Sequence, residues 1–332
     1  MRFATALLAL SMSTGPLQNA AAQSVTWELA NEYPASSLAG EGDAYFASLV
    51  ETRTSGGLHI VPRFDGTAGY KSREQLAAVA AGRIMLADSF AGALGEEDAL
   101  FLLSSLPFLT PTADDARRLF EIARPAYEAA LSKRGQKLLF VSPWPASGIW
   151  ARQTVTSAGA LRSLVIRTYD KTGAEVMQRA GAKAVNLSFA EVAAKLEAGE
   201  INAVLSSGDG GAGRELWKYL DHFTEINYAV PLSLVTINLA TWNLLDAPTR
   251  NVITAAADET MARQWRQMAG RSAQNYQRMR EHGMTIEPEF PSQLRDLLDE
   301  AAAGAIDDWL VKTGPAGREL LERYRANPRA AK

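Results

Sequence analysis

The sequence contains no cysteine, so disulfides, thiolate nucleophiles, iron–sulfur clusters and cysteine zinc sites are excluded together. Histidine is scarce as well, with only His59, His222 and His282, far apart in the chain. That spacing gives no support to a histidine zinc site or a catalytic histidine, and no G-x-S-x-G nucleophile elbow is present. Charge of one sign is not in excess: Lys and Arg total 34 against 37 for Asp and Glu, a net charge of −3. Such a chain has no overall field to hold a polyanion, and nucleic acid is not an expected partner. The composition is that of a folded, soluble chain rather than a disordered or multi-span one. With 332 residues it exceeds the size at which one hydrophobic core keeps growing, so two lobes are expected.

The first residues carry an address. Met1 and Arg2 give a positive start, residues 3–12 are mostly apolar, Gly15 and Pro16 break the run, and Ala20, Ala21 and Ala22 supply small residues for cleavage. This order reads as a secretory signal over residues 1–22. The apolar part is roughly ten residues, whereas a helix that spans a bilayer takes about 20. The mature chain is therefore expected to be free in an exported space such as a periplasm.

Beyond that segment, residues 25–29 alternate apolar and polar, 58–64 do so less cleanly, and 76–84 is helical in pattern before the apolar run 84–87. Further short apolar runs follow at 137–141, 164–167, 184–187 and 201–205, with helical stretches over 171–180 and 189–198. Alternation of this kind predicts α/β layers with largely parallel sheets. Residues 248–282 form a helical stretch with Ile253, Ala257, Met261, Trp265 and Met268 on one stripe. Asp246 is placed as its N-cap, Pro248 in its first turn and Gly283 at its end. One long helix across both lobes and two helices broken near Gly270 both satisfy this pattern.

The stretch Gly208-Asp209-Gly210-Gly211-Ala212-Gly213 satisfies G-x-G-x-x-G after an apparent strand and before a helical 214–220. No strand ending in an acidic residue follows about 20 positions on, so a dinucleotide site is not expected, and the glycines read as a turn. No cofactor and no metal site is indicated. Arginine is more informative. Arg167 closes the strand 164–166 and Arg152 follows the aromatic stretch 144–150. Ligands in α/β sheets bind beyond the carboxyl ends of strands, and a guanidinium there offers a carboxylate two parallel charge-assisted hydrogen bonds.

These elements resemble the substrate-binding proteins of tripartite ATP-independent periplasmic (TRAP) transporters, the DctP-like family. The resemblance is carried by Leu161-Arg162-Ser163-Leu164-Val165-Ile166-Arg167, then Gly181-Ala182-Lys183-Ala184-Val185, then Ser188-Phe189-Ala190-Glu191-Val192 and 196–203. The family pattern there is LKGLKIR, GA.PV and F.E.Y.ALQ.G.VDG, in the same order and spacing. The resemblance implies a two-lobe α/β periplasmic binding protein fold (type II-like), its lobes joined by crossing strands and a long helix. The expected lobes are 24–149 with 232–272, and 150–231 with 273–332. It also implies a receptor that closes on a small organic acid and hands it to the small and large subunits of a TRAP permease; a monomer is the default expectation for such a shuttling receptor.

Residue by residue, Arg167 falls on the family's carboxylate-binding arginine and Arg152 on a second arginine for the same acid. Asn31 and Asp88 fall on polar pocket positions, and Phe189 on an aromatic that packs over the ligand. Ser206 stands where many members have asparagine, and offers one hydroxyl donor in place of an amide. Tyr70, Trp144, Trp150 and Tyr169 are expected as further walls, which favours a hydrophobic or aromatic acid. Two other readings stay open: an exported enzyme acting on a carboxylated substrate in the same cleft, and the receptor of an ATP-driven importer.

Overall fold

The computed structural model describes residues 24–288 and 291–326; the expected signal segment lies outside them. The described residues form strands β1 (Val25–Asn31), β2 (Leu58–Arg63), β3 (Leu86–Phe90), β4 (Gln136–Pro143), β5 (Ser147–Ala151), β6 (Val165–Thr168), β7 (Lys183–Asn186), β8 (Ala203–Ser207), β9 (His222–Thr224), β10 (Leu232–Asn238) and β11 (Thr285–Glu287). They assemble into two sheets, in the orders β2-β1-β3-β10-β4 and β11-β9-β5-β8-β6-β7. β2, β1 and β3 are parallel, as the intervening helices Leu38–Arg53 and Ser72–Ala80 require. β10 is antiparallel to both β3 and β4. In the second sheet β7, β6 and β8 are parallel, while β5 runs antiparallel to β8 and β9. Strands buried on both faces read as unbroken apolar runs, and every residue of β10 and of β8 is buried.

The chain passes between the sheets through residues 144–146 and returns through 225–231. These two segments pair with each other: Trp144 N donates to Pro231 O, Ser147 N to Ala229 O and Tyr228 N to Ser147 O, each at 2.9 Å. A third link is the helix Ala247–Glu281, which runs through Gly270 without a break. Asp246 Oδ1 caps it by accepting from Thr249 N at 2.8 Å. At 1.5 Å per residue it extends about 50 Å. Its first half buries Ile253, Ala256 and Ala257 with Phe46 and Phe140 of the first sheet's core. Near its other end Met279 joins the core of the second.

The C-terminal helical segment Ser292–Ala326, kinked at Gly314 with φ 61°, divides between the lobes, although the expected boundary placed all of it in the second. Leu294, Leu298, Ala301, Ala302 and Ala305 pack in the second lobe's core. Trp309, Leu320, Leu321 and Tyr324 pack with Leu76, Phe101, Phe120 and Tyr127 in the first. The crossover precedes the kink: Trp309 is already fixed to the first lobe, its Nε1 donating to Ala99 O at 2.7 Å.

The glycine-rich motif is also not a turn. Gly208–Gly213 is a short helix capped by Ser207, whose hydroxyl accepts from Gly210 N at 3.0 Å, and only a single 3₁₀ turn, Leu216–Lys218, forms in the stretch expected to be helical. The glycines permit close packing: a Cβ on Gly211 would overlap the Trp150 indole, and one on Gly213 would come within 2.7 Å of Pro34 Cγ. Trp150 is accordingly a core residue of the second lobe, its Nε1 donating to Ser207 O at 3.3 Å, and no wall of the cleft. Asp209 of this helix is buried and ties three elements together. It accepts from Leu38 N at 2.7 Å, from Asn275 Nδ2 at 2.9 Å and from Arg271 Nε.

Candidate functional site

The carboxyl ends of β1 and β3 face those of β6, β7 and β8 across an interlobe cleft of about 940 Å³, lined among others by Glu32, Tyr33, Phe90, Arg167, Tyr169 and Phe189. Beneath it lies an inner recess of about 20 Å³, room for a water or two. Tyr33, Phe90, Arg167, Tyr169 and Phe189 line both spaces, so an acid seated on Arg167 also reaches the larger one.

Arg167 comes from β6, and only 2% of its surface is exposed. Nε donates to Leu187 O at 2.8 Å and Nη1 to Leu205 O at 3.5 Å, which fixes the plane of the guanidinium. Of the five N–H donors an arginine carries, the other three have no protein acceptor among the described residues, and no carboxylate pairs with the group. The ring of Phe189 lies 5.3 Å from Cζ. Burial pulls the Arg167 pKa below its ordinary value, with Tyr33 and Glu32 acting the other way. The group stays charged, so it is a desolvated cation that an anion would relieve.

Around it the aromatic rings form a continuous wall. Tyr33 stacks on Phe189 with centroids 5.1 Å apart and meets Trp144 at 4.6 Å, while Phe90 meets Tyr169 at 5.1 Å. Trp144 is held by Nε1 donating to Ser233 Oγ at 3.1 Å. Ser206 lines the recess. Two buried hydroxyls that line it, Ser147 Oγ and Tyr169 Oη, lie beside each other, and neither makes a hydrogen bond of good geometry to any other group among the described residues.

Five of the expected residues are thus brought together: Arg167, Trp144, Tyr169, Phe189 and Ser206. Asn31 and Asp88 are not on the surface of either space. They lie one layer below in the first lobe, where Asn31 Nδ2 donates to Asp43 Oδ2 at 2.7 Å and to Asp88 Oδ2 at 3.3 Å. Asn31 Oδ1 accepts from Tyr33 N at 2.7 Å, so this pair of carboxyls supports the aromatic wall indirectly. Burial pushes Asp88 up to about 7 and Asp43 well above the usual carboxylate range, so both favour the protonated form more than an exposed carboxyl does.

Two expected residues are elsewhere. Arg152 is exposed and follows the carboxyl end of β5. Because β5 is antiparallel to β8, it is the amino end, at Ser147, that reaches the cleft. Tyr70 packs on Ala30, Ala78 and Ala87 within the first lobe, with Arg83 5.9 Å from its ring.

Glu32, Tyr33, Phe90, Ser147 and Ser188 were not anticipated. The rule that ligands lie beyond strand carboxyl ends, applied to the first sheet as it was to the second, points to Tyr33 and Phe90. Glu32 bridges the lobes. Its Oε2 accepts from Ser72 N at 2.8 Å, while Oε1 accepts from Ala190 N at 3.0 Å and from the Ser188 hydroxyl. Burial raises the Glu32 pKa, but the hydrogen bonds from Ser188, Ser72 and Ala190 outweigh it and hold the carboxyl below its ordinary value.

Two α/β lobes joined by paired crossing segments, with a buried unpaired cation where they meet, define the class of hinged solute receptors. A family model described as bacterial extracellular solute-binding protein, family 7, matches residues 29–307, and the chain belongs to that family. It is a receptor of the TRAP type; the family and its structural neighbours bind solutes and are not enzymes. Among solved structures, the extracytoplasmic solute receptor DctP7 of Bordetella pertussis, which binds pyroglutamic acid, is 27% identical with a TM-score of 0.87 over 91% of this chain and 100% of that one. A TRAP solute-binding protein from a marine metagenome, specific for pyroglutamate, is also 27% identical, with a TM-score of 0.87 over 92% of this chain and 100% of its own. A Sulfitobacter receptor with bound β-D-galacturonate, 14% identical, shares the fold over 91% of this chain and 100% of its own with a TM-score of 0.83. Comparison with curated proteins returns no match. The described residues contain no helix long and apolar enough to cross a membrane.

Proposed function

We propose that this receptor takes a small monocarboxylate with a compact ring and a neutral polar group, of the pyroglutamate kind, and delivers it to a TRAP permease from an extracytoplasmic space. The observation that carries the reading is Arg167, among the described residues the one cation lining the inner recess, and one that no carboxylate among them pairs with. One guanidinium fork matches one carboxylate. A second carboxylate held inside the recess would face Tyr33, Phe90 and Trp144 without a counter-charge, which is costly. The neighbouring hydroxyls of Ser147 and Tyr169, which make no well-formed bond elsewhere, suit a lactam or amide group. The relatives with pyroglutamate support this chemistry, and nothing in them supports the aromatic acid expected from the wall residues alone.

Thermal unfolding against L-pyroglutamate, succinate, a uronate and benzoate tests the reading. A ligand at 100 times its dissociation constant adds about 2.7 kcal/mol to the folded state, a shift of several degrees. Stabilisation by L-pyroglutamate and not by the others is expected. A shift from succinate that exceeds the one from L-pyroglutamate would overturn the monocarboxylate assignment.

A further inference from the structure

The cleft mouth is bridged by contacts that involve no ligand. Lys171 Nζ of the second lobe lies 2.7 Å from Glu96 of the first, Lys71 and Arg73 of the first lie 3.3 and 3.7 Å from Glu191 of the second, and Arg214 of the second lies 3.5 Å from Asp65 of the first. The side chains in the Lys71, Arg73 and Lys171 pairs are each about a third or more exposed, and pairs of that kind contribute little. Glu32 differs from them in every respect that matters. It is 2% exposed, ionised, and uses one oxygen for its own lobe and the other for the opposite one. Its backbone is drawn across as well, because Arg214 Nη2 donates to Glu32 O at 2.8 Å. Ser188 and Glu191, in turn, form a capping box at the start of the turn Phe189–Glu191, which presents Ala190 N and the Ser188 hydroxyl to Glu32 and sets Phe189 over the cleft.

We infer that Glu32 is a closure latch, a positioning residue whose carboxylate binds Ser188 and Ala190 across the cleft and so populates the closed arrangement whether or not a ligand is present. When the lobes part, Oε2 keeps its bond to Ser72 and Oε1 exchanges two protein donors for water. Opening therefore undoes only the cross-lobe half of the set. The latch also joins closure to recognition, since the turn that docks on Glu32 carries Phe189, and the residue after Glu32 is Tyr33, which stacks on it.

The absence of cysteine makes the test direct. Lys133→Cys and Ala198→Cys, at exposed positions on the first and second lobes, give unique sites for a donor–acceptor dye pair in the full chain. Single-molecule energy transfer then reads the ratio of closed to open molecules without any ligand. The expected result is a detectable closed population in the otherwise unaltered chain, reduced at least about tenfold by Glu32→Gln and by Ser188→Ala, the scale of a lost hydrogen bond to a charged group. Ser188→Ala leaves the Ser72 contact intact and guards against a folding defect, which the thermal midpoint of each variant also monitors. The latch is refuted if the unliganded chain shows no closed molecules, or if both variants keep its ratio within twofold. The measurement uses no added acid, so failure of L-pyroglutamate to bind would overturn the ligand assignment and leave these ratios standing.

Discussion

Replacing Arg167 separates binding from folding. Its Nε and Nη1 are anchored on Leu187 O and Leu205 O, so the remaining edge is held in place before an acid arrives and loses little freedom on binding. Truncating one partner of a desolvated, hydrogen-bonded charge pair costs about 2 to 5 kcal/mol, which corresponds to a rise in Kd of about 30-fold to 4000-fold for Arg167→Ala. Arg167→Lys keeps the charge but loses the fork and both anchors. The loss of one charge-assisted hydrogen bond, about 1.5 to 3 kcal/mol, predicts weakening of about tenfold to 100-fold. Titration calorimetry with L-pyroglutamate reads both. The unfolding midpoint without ligand should move little, because relief of a buried, unpaired cation offsets the two backbone hydrogen bonds lost. Affinity within threefold of the original in both variants would refute the clamp. A collapse of the unliganded midpoint would show that the arginine is structural.

Arg152→Ala should leave the same affinity within twofold, since that side chain is exposed beyond the carboxyl end of β5; a tenfold loss would contradict its placement. Gly211→Ala forces a methyl into the Trp150 ring and should destabilise by about 1 to 3 kcal/mol, read as a lower denaturation midpoint, and an unchanged midpoint would sink this packing account. Asp43 and Asp88 both titrate higher in the folded chain than in the unfolded one. Between the ordinary carboxylate value and the Asp88 value of about 7 the folded chain holds more protons, so stability is lost as pH rises through that range. Asp43→Asn should therefore raise the unfolding midpoint at pH 8 and have a smaller effect at pH 5; the reverse order would show that the pair is ionised when folded.

Much of this architecture was legible because periodicity reports burial. The runs at 164–167, 184–187 and 201–205 are parallel strands in the second sheet, and the stripe from Ile253 to Met268 is the buried face of one helix. Arg167 stood out as a cation at the end of a buried strand, where solvation must come from something other than water. Arg152 misled for a related reason. Strand direction is not written in local composition, and only the pairing of β5 with β8 reveals that its carboxyl end points away. Glu32 was hidden because a glutamate after a strand reads as solvated, and its partners Ser188 and Ala190 are more than 150 residues distant. The glycines at 208–213 spell a nucleotide fingerprint while answering to Trp150 and Pro34, which no local window contains.

The return of the last helical segment to the first lobe bears on how the molecule comes into being. Trp309, Leu320, Leu321 and Tyr324 complete a core begun by Leu76 and Phe101, so the first lobe is not a contiguous piece of chain. It cannot be finished until nearly every residue has arrived. Pairings so distant in sequence also make for slow maturation, and they tie the survival of one half to that of the other.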